Sequence, residues 1–130
     1  MLLGELDAAF PWGMLLVTDD ASTEPIPSWG SEDEQVAACD SALVVRVMHG
    51  QEGRAEVRVW SSHGEAAGSE VFRGFLEIPS GTLRVTDALS EQTIRLSLEP
   101  GRHPVKVYVD EPREAAKVDV VIDVVIDASD

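Results

Sequence analysis

The sequence predicts an all-β protein, an antiparallel β-sandwich of about eight strands with one short helix. Three observations predict it. Apolar residues recur at every second position in one stretch after another, and Gly- or Pro-bearing turns separate those stretches at short spacing. The 3.6-residue period of a helix is nearly absent. A barrel would use the same grammar, so sandwich or barrel closure stays open at this level.

Taken in order, residues 14–18 and 42–49 are rich in valine and leucine, with less clean alternation than the later stretches. Ala55, Val57 and Val59 oppose Arg54, Glu56, Arg58 and Trp60, the pattern of a half-buried strand. Around 70–78, Phe72, Leu76 and Ile78 define one face and Val71, Arg73, Phe75 and Glu77 the other. Gly74 is the expected bulge or close-packing point there. Leu83 and Val85 oppose Thr82, Arg84 and Thr86; Ile94, Leu96 and Leu98 flank Arg95 and Ser97; Val105, Val107 and Val109 alternate with Lys106 and Tyr108. From about 117 to 127 a short repeat reads as one long strand, with Val118, Val120, Ile122, Val124 and Ile126 facing the core and Asp119, Asp123 and Asp127 on a mixed outer face. Gly50-Gln51-Glu52-Gly53, Pro79-Ser80-Gly81 and Pro100-Gly101 are placed as hairpin turns. Helix grammar occurs once: Ser31-Glu32-Asp33-Glu34 forms a capping box, opening a helix of two turns at most that ends near Cys39-Asp40.

A chain of 130 residues with 44% hydrophobic and 26% charged residues is long enough for one globular β-sandwich domain, 1–130, with its own core. Its charge is the unusual feature. Twenty-four acids against ten bases leave a net charge of −14, which repels nucleic acid. Nine of the acids lie in residues 1–45, and the first lysine or arginine is Arg46. The N-terminal third is therefore an acidic pole. With Cys39 alone, no intramolecular disulfide and no cysteine metal cluster can form, which fits a reducing compartment. No apolar stretch near the start reaches the length of a membrane span, and no basic region precedes one, so the cytoplasm is the expected location.

Candidate catalytic groups are sparse. The bases available to a triad are His49, His63 and His103, and none sits in a nucleophile, phosphate-loop or metalloprotease motif. His63 and His103 fall beside turns, where an exposed histidine is the plainer reading. The aspartates of the last strand cannot share a cation, because residues four apart on a strand are separated by roughly 13 Å. Asp19, Asp20 and Glu24 in one loop suit a cation better, which keeps a calcium- or carbohydrate-binding module as an alternative. Cys39, beside Asp40 and without a basic neighbour, reads as an unreactive half-buried thiol. No cofactor is expected.

The tryptophans divide. Trp12, after Phe10-Pro11, is expected in the core, and Trp60 either covers one end of the sandwich or is partly exposed beside Arg54 and Arg58. Trp29 lies in the Pro-bearing acidic stretch 19–30, where it either pins the loop or anchors a partner. Asp19, Asp20, Glu24, Trp29, Glu32, Asp33 and Glu34 are thus the expected partner-binding residues.

One resemblance runs through most of the chain. Leu15-Leu16-Val17 before Asp19-Asp20, Trp29, Ala37-Ala38-Cys39-Asp40-Ser41-Ala42, Phe75-Leu76-Glu77-Ile78-Pro79 leading to Leu83-Arg84-Val85, and above all Ile94-Arg95-Leu96-Ser97-Leu98-Glu99-Pro100-Gly101 resemble the competence protein J family. The sequence departs from that pattern at His103-Pro104, where aromatic residues are expected. The resemblance implies a protein-binding role, inhibition of a DNA-entry nuclease, and supplies no catalytic residues. Small acidic immunity proteins of bacterial toxin systems look similar. The expectation is a non-enzymatic inhibitor or immunity-type protein of a basic partner such as a nuclease, of unstated oligomeric state; a structural protein without a dedicated partner is the third alternative.

Overall fold

A computed structural model describes residues 2–22, 35–61, 68–112 and 115–122. Ten strands follow in chain order: β1 (Leu2–Ala8), β2 (Met14–Asp19), β3 (Val36–Ala38), β4 (Ala42–Arg46), β5 (Ala55–Trp60), β6 (Ser69–Ile78), β7 (Thr82–Asp87), β8 (Thr93–Ser97), β9 (Gly101–Val109) and β10 (Lys117–Ile122). A one-turn 3₁₀ segment, Pro11–Gly13, joins β1 to β2. The strands form two five-stranded sheets, ordered β1-β5-β10-β9-β6 and β3-β4-β2-β7-β8. Every pairing is antiparallel except β5 with β10, which run parallel.

The alternation dictates the core. Leu15, Val17, Leu43, Val45, Leu83 and Val85 point inward from the second sheet and meet Val57, Val59, Val105, Val107, Val118, Val120 and Ile122 of the first. At roughly 25 cal/mol per Å² of apolar surface removed from water, this face-to-face burial is the main term holding the sheets together. Gly74 is a close-packing point as expected: a Cβ there would sit 2.8 Å from the Phe72 ring, beside the irregular register between Glu70 and Phe72.

Four local expectations are corrected. Residues 36–38, expected in the short helix, form β3 against β4, because Ala37 and Val36 find ladder partners in Val44 and Val45; the capping box itself lies outside the described residues. The three Gly/Pro turns are not hairpins. Each carries the chain from one sheet to the other (β4 to β5, β6 to β7, β8 to β9), since the same turn residues serve either a hairpin or an arch. Trp12, expected in the core, is 63% exposed. His103, expected on a turn surface, is buried in β9, and its Nε2 lies 2.6 Å from the Glu99 carbonyl oxygen. Trp60 takes the covering role: it is buried, and its indole N–H donates to Asp119 at 2.8 Å. The last strand is observed over Lys117–Ile122; 123–127 and His63 lie outside the described residues.

The neighbours β2 and β7 carry the same phrase, Leu-x-Val-Thr-Asp, as Leu15–Asp19 and Leu83–Asp87. They pair about Val17 and Val85, so the phrase is repeated by a local two-fold and its two aspartates fall at opposite ends of the sandwich. No helix among the described residues is long and apolar enough to cross a membrane.

Candidate functional site

At one end of β2, the carboxylate of Asp19 is only 1% exposed. Its Oδ1 accepts from the Ser80 amide at 3.0 Å and the Ser80 hydroxyl at 2.6 Å, and its Oδ2 accepts from the Ala21 amide at 3.0 Å. A buried carboxylate with three donors is satisfied where it stands. Asp19 thus locks the inter-sheet turn to the root of the acidic segment and does not face solvent. Asp20 is partly exposed and pairs with Arg95 at 3.0 Å. The Ser22 and Ser41 hydroxyls meet at 2.7 Å, fixing the point from which the acidic segment departs. Its return point, Gln35, exchanges hydrogen bonds with the Arg46 backbone. Glu24, Trp29, Glu32, Asp33 and Glu34 lie between, outside the described residues. Of the expected binding residues, Asp19 and Asp20 are therefore placed, and both are engaged internally. The cation-loop reading loses Asp19 for the same reason, and among the described residues no group of three or more His, Cys, Asp or Glu could hold a metal.

The opposite end is built differently. Phe10 is fully buried and forms a bridge to His49, and Gly13 returns its amide to the Phe10 carbonyl at 3.0 Å. Between them Trp12 takes φ = 57°, a left-handed conformation that costs a non-glycine residue about 1–2 kcal/mol. Gly13, at φ = 64°, must lack a side chain, since a Cβ would sit 2.7 Å from the Val47 carbonyl oxygen. The strained turn therefore pushes Trp12 outward.

Facing it is the β7–β8 hairpin, organised by Asp87, the counterpart of Asp19. This carboxylate is 1% exposed; Oδ1 accepts from the amides of Leu89 (2.7 Å) and Glu91 (3.1 Å), and Oδ2 from that of Gln92 (2.9 Å). The loop is held rigidly enough that Ser90 sits at φ = 56° and Leu89 is left 52% exposed. Trp12 and Ser90 are the two non-glycine residues with positive φ among the described residues, and they occupy the two loops that raise Trp12 and Leu89. Strain held by surrounding hydrogen bonds concentrates where a surface is used.

Trp12 and Leu89 line a groove of about 460 Å³ together with Pro11, His49, Gln51 and Glu91. The His49 ring is fixed by the Gln51 amide, which donates to Nδ1 at 3.1 Å. Glu91 is the one carboxylate of the lining, and no lysine or arginine belongs to it. Nearby, Arg54 is held by the Asp7 side chain at 2.9 Å and the Asp7 carbonyl at 2.7 Å. Elsewhere on the first sheet, Glu56 hydrogen-bonds Arg58 and raises its already high pKa, and Glu70 does the same for Arg73. This end therefore presents two exposed apolar side chains beside a carboxylate. Sequence reasoning missed it; the repeated Leu-x-Val-Thr-Asp phrase, ending beside Leu89 in its second copy, was the available signal.

By architecture this is an acidic sandwich of two five-stranded sheets, joined by inter-sheet arches. No protein-family model matches the sequence, and no curated protein does. Among solved structures the chain is similar to ComJ, an inhibitor of the DNA degrading activity of NucA, from Bacillus subtilis. The TM-score is 0.75 and the identity 13%, over 96% of this chain and 98% of that one. The fold is thus that of the competence protein J structure, as the sequence motifs imply. The product of crocagin biosynthetic gene J matches with a TM-score of 0.49 and 16% identity, over 91% of this chain and 94% of that one.

Proposed function

We propose that this protein is a non-enzymatic, acidic binding protein that inhibits a basic partner, a DNA-degrading nuclease in the first instance. The observation that carries the reading is the charge distribution: −14 overall, with nine acids before the first base at Arg46. A nuclease groove built for phosphates accepts ordered carboxylates, and opposite charge speeds the encounter. The likeness in fold to ComJ supports the choice of partner class. On this reading Glu24, Trp29, Glu32, Asp33 and Glu34 form the acidic front, and Asp19 and Asp20 hold its root.

The test is degradation of plasmid DNA by NucA, and by other basic nonspecific nucleases, with and without an equimolar amount of this protein. Inhibition that saturates at a fixed stoichiometry and weakens as salt rises is expected, because exposed charges act over a Debye length of about 10 Å at 0.1 M salt. If no basic nuclease is retained at low salt, the inhibitor reading falls and the charge serves solubility.

A further inference from the structure

We propose that the Trp12–Leu89 groove seats an apolar anchor residue, of leucine to phenylalanine size, carried between cationic residues on a loop of a protein partner. The proposal deepens the binding-protein reading above by naming a contact surface separate from the acidic segment. Three independent observations meet at this groove. It joins two of the four large hydrophobic side chains that are exposed among the described residues, Trp12 and Leu89. Both are raised on loops that hold a left-handed non-glycine residue, and no such residue occurs elsewhere among those described. Both loops are fixed beforehand, one by the Phe10–His49 bridge and the Gly13 contact, the other by three amides on Asp87. A tryptophan held in place at the edge of a pocket is what a binding hot spot requires, because the ordering cost is met before the partner arrives.

Charge chooses the flanks of the anchor. The groove lining holds Glu91, the Gly50–Gly53 turn at its rim adds the exposed Glu52, and the adjacent Arg54 is already bound to Asp7. Lysines or arginines on either side of the anchor meet carboxylates, while an acidic segment would meet repulsion from a chain of net charge −14. The volume of about 460 Å³ is enough to seat one large side chain with part of its backbone.

The test uses the full chain and short peptides, so that it does not depend on a nuclease being found. A capped Lys-Arg-Leu-Arg-Lys peptide is titrated against isotope-labelled protein, and the Trp12 indole N–H and the amides of Gly50, Gln51 and Leu89 are followed by NMR. Saturable shifts at these positions are expected, with binding about tenfold weaker when glycine replaces the central leucine. A Glu-Glu-Leu-Glu-Glu peptide should leave the same peaks in place. Trp12→Asn, which suits a left-handed backbone, should abolish the leucine dependence without lowering the melting temperature. The proposal is overturned if the leucine and glycine peptides bind alike, if the shifts spread over the acidic surface without reaching Trp12, or if Trp12→Asn unfolds the protein. A chain that inhibits no nuclease yet shows the leucine-dependent shifts keeps this proposal and loses the previous one.

Discussion

Asp19 and Asp87 end the same five-residue phrase on neighbouring strands, both are 1% exposed, and each accepts three hydrogen bonds, yet they produce opposite surfaces. Asp19 draws Ser80 and Ala21 inward and makes a closed polar joint between the two sheets. Asp87 gathers amides from within its own hairpin, Leu89, Glu91 and Gln92, and by holding the backbone forces the Leu89 side chain out. The difference lies in where the donors come from. A donor from the arch between the sheets ties that arch down, whereas donors drawn only from the next five residues shape a loop that can present something.

Removing the cross-sheet carboxylate should have the largest effect. Asp19→Ala removes the three hydrogen bonds that its buried carboxylate accepts from the Ser80 amide, the Ser80 hydroxyl and the Ala21 amide, and should cost about 3 kcal/mol in urea unfolding; a loss under about 1 kcal/mol would mean the joint is held by its turn alone. Asp87→Ala should cost about 2 kcal/mol, since its three bonds lie within one hairpin and no joint between the sheets is lost, and should also slacken the loop enough to weaken binding of the leucine peptide. If Asp87→Ala binds that peptide as tightly as the wild type, the loop is not prearranged by the carboxylate. Trp12→Asn should change stability little, with a gain of about 0.5 kcal/mol as the left-handed residue is replaced by one that tolerates it. The smallest effect falls on the exposed ion pair beside Asp19: Arg95→Gln should shift unfolding by no more than about 0.5 kcal/mol, and less in high salt.

The strands with strict alternation of bulky residues could be read from sequence. Val57 and Val59, Val105, Val107 and Val109, and Val118 and Val120 all face the core where the period of two puts them. Strand β1 escaped because its inward positions include Gly4 and Ala8, which carry almost no hydrophobic signal, and Gly4 exists to admit Leu96, whose Cδ2 would lie 3.1 Å from a Cβ there. Strand β3 is three residues long, below what any periodicity can register. Which sheet a turn leads to was illegible in principle, since Pro79-Ser80-Gly81 closes the same local bend in a hairpin or an arch. The groove depends on Trp12, His49 and Leu89 meeting across the fold, and hydrophobicity alone assigned Trp12 to the interior. Asp19 looked like a surface acid because nothing local reveals that Ser80, sixty-one positions away, saturates it.

The parallel pairing of β10 with β5 has a consequence for how the chain is made. Strand β10 sits in the middle of its sheet, between β5 and β9, although it is the last of the ten to leave the ribosome. Until Lys117–Ile122 emerges, β5 and β9 are separate edges, each with a row of unpaired peptide groups and a flank of valines that no local hairpin can cover. The first sheet can therefore be completed only once its last-made strand arrives, and pairing of neighbours in sequence alone cannot join β5 to β9.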